Sequence, residues 1–245
     1  MMQMRGLPRI AGYAALGLVC LGLLVASGAC AVAASGQALV IGESAYANFP
    51  PLPGCALSTH AVAAALRGMG LTVDEQDDAS SGALYAAIGA MTRQLAATPQ
   101  TPTFLYFCGY ATSYEDRPFV LPISASVSRP ADALTQGLLA KTLLNVAMGD
   151  KTAAGVLVLD TAPVPNGPSV LPLDALLQPA LPPTLGYIAT ITAAPGNTPA
   201  PLASALVPLL HDSAMQSARL LADIQQQLAG LKTASVAGRI CRTPG

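Results

Sequence analysis

The sequence predicts an α/β fold, a three-layer α/β/α sandwich built on a mostly parallel sheet. Two stretches and one spacing carry the expectation. Thr103–Tyr114 (TFLYFCGYATSY) opens as an apolar and aromatic run, and Gly155–Val164 (GVLVLDTAPV) is a second such run that passes into an aspartate. Strands apolar throughout, rather than alternating, belong to sheets covered by helices on both faces. Between runs of this kind lie segments such as Gly82–Ala97, with Leu84, Ile88, Met91 and Leu95 at helical spacing. Strands alternating with helices imply right-handed crossovers. In such sheets the chemistry sits just past the carboxyl ends of the strands, here CGYAT and DTAPV.

In chain order, Ala38–Gly42 is the first buried strand. The loop ESAYANFPPLPGCAL follows, and its three prolines and one glycine argue against an immediate helix. Ser58 suits the N-cap of a helix to about Met69, with Gly70 as a left-handed terminator and alanines at 61 and 63–65 for close packing. Leu71–Asp74 is the second strand and EQDDASS a polar turn; the helix at Gly82–Ala97 and the loop TPQTP lead to the third strand, broken at Gly109. Phe119–Ile123 is extended, Leu134–Met148 is a helix closed by Gly149, and Gly155–Asp160 is the fourth strand. After the proline-rich TAPVPNGPSVLP come a short helix around Leu173–Leu177, a strand at Gly186–Thr192, helices at Ala203–His211 and Met215–Leu231, and an edge strand within Ala234–Cys241. No internal repeat or linker interrupts residues 36–245, which read as one domain.

The composition narrows the function classes. Of 245 residues, 52% are hydrophobic and only 10% charged, which excludes a disordered chain, while 21 prolines spread along the sequence argue against a polytopic membrane protein. A net charge of −1 gives no nucleic-acid footprint. Arg5 and Arg9, the apolar Ile10–Ala26 and the small-x-small Ala31-Val32-Ala33 have the order of an export signal. Residues 1–33 are therefore expected to be a signal peptide, and the protein periplasmic or secreted. With no charge between Arg9 and Glu43, retention as a membrane anchor is one alternative; lipidation at Cys30 is another, although Ser27 stands where a bulky aliphatic is expected. Beyond this segment remain Cys55, Cys108 and Cys241. In an oxidising compartment an odd count leaves either one thiol beside a disulfide or three free thiols.

The order of elements, with ALVIGESAYANFPPLPGCA, AVAAALRGMGL, TFLYFCGYAT, VLVLDTAPV and IATITAAPGNTP, resembles the caspase/metacaspase family of cysteine peptidases (peptidase C14 type). The resemblance runs from about Ala38 to the carboxyl terminus and implies the caspase-like sandwich. It also implies a catalytic His in a Gly-His-Gly at the end of the third strand, and a nucleophilic Cys in an Asp-x-Cys at the end of the fourth. Here the first position is Tyr110, after Cys108 and Gly109, and the second is Ala162, after Asp160 and Thr161. The acidic residue that metacaspases carry after their Gly-Cys pair falls at Ser58; Asp160 is retained.

Physical chemistry gives these departures their meaning. A cysteine peptidase needs a thiolate beside a base that titrates near the working pH. Tyrosine, with a pKa of about 10, is poorly suited to that role. Alanine offers no nucleophile, and losing one costs on the order of 10⁶ in rate. The expectation is an exported, non-catalytic caspase-fold protein, without cofactor. It would bind a peptide or protein partner through the former substrate groove, with Cys55, Ser58, Cys108, Gly109, Tyr110 and Asp160 as the binding set. The alternative is an active endopeptidase using Cys108 or Cys55, with His60 five residues beyond Cys55. Asp160 suits either a ligand contact or a turn cap; Tyr106, Tyr110 and Tyr114 suit either a recognition surface or the core. Gly42–Tyr46 lacks the second small flank and the following helix of a nucleophile elbow. Neither His60 nor His211 has a ligand companion at useful spacing, so no metal site is expected.

Overall fold

The computed structural model describes residues 36–149, 155–165, 185–191, 196–212 and 236–239. The expected helices around Leu173–Leu177 and over Met215–Leu231 lie outside these residues, as do Cys241 and the amino-terminal segment.

Five parallel strands make the body of the sheet: β1 (Gln37–Gly42), β2 (Thr72–Asp77), β3 (Thr103–Tyr114), β6 (Gly155–Pro163) and β7 (Leu185–Ile191). They lie in the order β2-β1-β3-β6-β7, with β8 (Val236–Arg239) antiparallel on β7. β4 (Arg117–Val120) folds back antiparallel on β3, and the two-residue β5 (Leu138–Leu139) pairs with β4. Two cores follow from the period-two alternation of buried strands. On one face Val40, Phe104, Tyr106, Val156 and Val158 pack against α1 (Pro53–Gly68) and α5 (Pro201–Asp212), through Val62, Leu66, Leu202 and Leu206. On the other, Leu39, Ile41, Leu105, Phe107, Leu157 and Leu159 meet α2 (Ser81–Ala97) and α4 (Ala140–Met148), through Leu84, Ile88, Met91, Leu143 and Leu144. This is the expected sandwich, with apolar strands because both faces are covered.

The differences from the sequence reading are local, and each has a cause. α1 begins at Pro53, five residues before the expected cap at Ser58, because a proline at the first helical turn gives up no hydrogen bond. Ser58 lies inside the helix, its hydroxyl donating to the Gly54 carbonyl at 2.8 Å. Gly70, at φ +87°, ends that segment as expected. β2 runs on to Asp77, through the first three residues of the supposed polar turn: as the outer strand it needs apolar side chains on neither face throughout. Gly109 does not break β3. An added Cβ there would stand 2.5 Å from the Tyr46 hydroxyl, so glycine admits that side chain against a continuous strand. β3 then reaches Tyr114 and turns through Glu115 and Asp116, at φ 49° and 55°, a two-residue hairpin of type I′ character. The expected helix over Leu134–Met148 is split into α3 (Ala133–Gln136) and α4, parted by Gly137 and β5. Gly137 lies against Phe119 and Leu121, where a Cβ would stand 2.9 Å from Phe119 Cβ.

Candidate functional site

β3 and β6 pair in a register that sets Tyr110 directly beside Ala162. Neighbouring strands run about 4.8 Å apart, and both side chains belong to the core on the α1/α5 face. The two positions at which the family resemblance expects base and nucleophile are thus adjacent and on the same side of the sheet. Tyr110 is locked in place: its backbone N–H donates to the Tyr46 hydroxyl at 2.8 Å, which donates in turn to the Leu121 carbonyl at 2.9 Å. Its ring packs edge-on against Tyr46 at 4.8 Å and tilted against Phe49 at 5.3 Å. Burial pushes the Tyr110 phenol above its usual value near 10, further from any use as a base at neutral pH. Because β6 continues through Pro163, Thr161 and Ala162 project to opposite faces.

The sulfurs of Cys55 and Cys108 are joined in a disulfide that ties the first turn of α1 to β3, two residues before Tyr110. Of the two readings the sequence left open, a disulfide or free thiols, the structure has the disulfide for this pair. While that bond is intact neither sulfur is a thiolate. Asp160 is buried and accepts a hydrogen bond from the Tyr106 hydroxyl at 3.2 Å. Ser58 accepts the Ala200 N–H at 2.8 Å, fastening α1 to the segment that leads into α5.

The structure therefore gathers Cys55, Ser58, Cys108, Gly109, Tyr110 and Asp160 around the carboxyl end of β1, the middle of β3 and the later half of β6, and buries all six. The space left between Leu52, Gly54, the disulfide, Asp160, Ala162 and Ala200 is about 10 Å³, barely a water's worth. These residues form a filled floor, with little exposed area of their own for a partner. Tyr106 likewise is core, whereas Tyr114 is half-buried at the rim of a larger opening.

That opening lies further along the same strands. Thr112, Ser113, Tyr114 and Glu115 from β3 and its turn, Val127–Pro130, and Val164 and Pro165 after β6 enclose a groove of about 630 Å³. Thr112 is 1% exposed, and its hydroxyl has no hydrogen-bond partner among the described residues although it lines this groove. Reading Gly109 as a strand break hides this groove; the turn-forming Glu115-Asp116 pair is the signal that could have found it.

Two further charged sites escape the sequence reading. Glu43, just after β1, is fully buried; the backbone amides of Ile123 and Ala79 lie near its carboxylate but make no well-aligned hydrogen bond to it among the described residues. Burial foremost, and the neighbouring Asp78 carboxylate next, push its pKa up to about 8. His60 on α1 meets Glu75 and Asp77 of β2, at 2.5 Å from Nδ1 and 3.8 Å from Nε2. The expectation that His60 has no companion fails because residues 15 and 17 positions away in the chain come together across the helix–strand contact.

A caspase domain model matches residues 35–164, from the residue before the described chain begins to the end of the β6 run. No curated protein matches. A crystal structure of a protein from Geobacter sulfurreducens is similar over 86% of this chain and 95% of that one, with a TM-score of 0.54 and 12% identity, a likeness that concerns the fold alone. With more than half the chain matched, and with β3 and β6 in the register that the resemblance requires, the protein belongs to the caspase domain family.

Proposed function

We propose that this is an exported, non-catalytic caspase-fold module that binds an extended peptide or protein segment at the strand-end groove beside the degenerate catalytic positions. The observation that carries the reading is the Tyr110–Ala162 pair: adjacent in register, buried, and offering neither a base that works at neutral pH nor a nucleophile. The nearest sulfurs are bonded to each other. Support for binding comes from the groove of about 630 Å³, which is of ligand size, and from the unpartnered Thr112 hydroxyl within it. Export is supported by the basic, apolar and small-residue order of the amino terminus and fits a buried disulfide. A partner would contact the rim residues Tyr114, Glu115, Val127 and Arg129; the buried set beneath would shape the floor.

The test has two arms. The oxidised protein is incubated with a diverse peptide library and cleavage is followed by mass spectrometry, then repeated after reduction and with a thiolate-directed alkylator. No cleavage in any state is expected. Cleavage that appears on reduction and vanishes in Cys108→Ala or Cys55→Ala would establish the peptidase alternative. In the second arm, peptides retained by the immobilised protein are compared with those retained by Thr112→Val and Tyr114→Ala; identical retention would remove the groove from the reading.

A further inference from the structure

We propose that His60, Glu75 and Asp77 form a binding site for a first-row divalent cation of the zinc or manganese type, on the outer edge of the sheet and apart from the strand-end groove. The placement comes from two rigid elements. α1 carries His60 and Arg67 seven residues apart, two turns along one face, and this face lies over β2. β2 is the outer strand, and Glu75 and Asp77, two residues apart, project from the same side of it. One imidazole nitrogen and two carboxylate oxygens consequently lie within 4.8 Å of one another. That is a donor set for zinc or manganese rather than for a soft metal.

The geometry requires a turn of the imidazole ring. A cation about 2.1 Å from each donor spaces its ligands roughly 3.3 Å apart. Glu75 Oε1 lies against Nδ1 at 2.5 Å and Asp77 Oδ2 is 3.8 Å from Nε2, the other nitrogen of the ring, so the imidazole must turn to bring one nitrogen to both carboxylates; the three donors already lie within 4.8 Å of one another. The mobile partner is the His60 side chain, which is 61% exposed, whereas the Glu75 side chain is 15% exposed and is held from its other side. Arg67 Nη2 binds Glu75 Oε2 at 2.7 Å, leaving Oε1 directed at the imidazole. Arg67 is thus a positioning residue for the carboxylate, in the manner of the outer partners that orient metal ligands. The exposed side of His60 leaves room for water to complete the coordination shell.

Charge separates this reading from a plain ion-pair network. The groups facing His60 are Glu75 and Asp77 from β2 and Arg67 from its own helix. With a neutral imidazole the cluster carries one net negative charge, which a dication reverses; with a protonated imidazole it carries none. Proton and cation therefore compete for the same nitrogen, and binding releases a proton. Cation binding should therefore strengthen as pH rises and the imidazole gives up its proton.

The test is isothermal titration of zinc, then manganese, into the chelator-stripped full-length protein. It is run at about pH 6 and about pH 8, beside His60→Ala and Asp77→Asn, with circular dichroism melts to establish that both variants fold. Cobalt absorption supplies a second readout. Saturable binding is expected at the higher pH, weakened at the lower. Each variant should lose at least about tenfold in affinity, and the visible cobalt band should be present only in the parent protein. No saturable heat into the millimolar range, or equal affinity in parent and both folded variants, would overturn the assignment.

Discussion

Glu43→Gln offers the sharpest quantitative test of how the sheet end is built. The carboxyl group is fully buried, and its pKa is raised from 4.5 to about 8 by burial and by Asp78, against the weaker opposing pull of the Ile123 and Ala79 backbone amides. A carboxyl that titrates higher in the folded state than in the unfolded chain holds more protons when folded. Its neutral form is favoured below the unfolded value of 4.5, and the folded state loses stability as pH rises from there towards 8. At 1.36 kcal/mol per pH unit, the full displacement amounts to about 5 kcal/mol. Between about pH 5 and about pH 7.5 the same linkage removes roughly 3 kcal/mol. Glutamine keeps the shape and cannot ionise, and its amide can donate to the Asp78 carboxylate nearby. Urea denaturation of parent and variant at these two pH values, with the disulfide intact, isolates the contribution, because every other titrating group is shared. The variant should gain about 3 kcal/mol on the parent as pH rises. A stability difference that stays constant within roughly 0.5 kcal/mol between the two pH values would mean that Glu43 ionises freely, and the account of its burial would be wrong.

Three other perturbations address the site. Tyr110→His combined with Ala162→Cys should place imidazole and thiol side by side, and alkylation of the new thiol should then titrate below the ordinary value of about 8.5; an unperturbed midpoint, or a crystal structure with the groups apart, would contradict the pairing of β3 with β6 that sets residue 110 beside residue 162. Cys55→Ala with Cys108→Ala opens a link between residues 53 apart in sequence, for which the chain-entropy relation gives a loss of about 4 kcal/mol, measurable as a lowered urea midpoint against the oxidised parent. Thr112→Val removes a buried hydroxyl that has no partner among the described residues and should raise stability by about 1 kcal/mol; destabilisation instead would reveal a hydrogen bond to that hydroxyl in the folded protein.

What the chain discloses unaided follows the range of the interactions involved. The runs at Ala38, Thr103 and Gly155, and the helical spacing of Leu84, Ile88 and Met91, are local patterns, and each gives a strand or helix where it is expected. Local chemistry also misleads where a distant neighbour has the deciding contact. Gly109 looks like a break until Tyr46 is seen lying against it, and Pro53 looks like an obstacle until it opens a helix. The positions that the family resemblance aligns with base and nucleophile, Tyr110 and Ala162, are located from the motifs alone.

The sequence by itself determined the layered α/β architecture, the strand ends where the site lies, and the side chains standing at Tyr110 and Ala162. Only the tertiary structure decided that Cys55 and Cys108 are joined, that the six expected binding residues are buried as a floor, and that a groove opens beyond them. It alone brought His60 to Glu75 and Asp77, and buried Glu43 completely. Periodicity and turn chemistry act between neighbours and are written along the chain, whereas burial, disulfide pairing and free space depend on distances between segments tens of residues apart, which only the packed sheet sets.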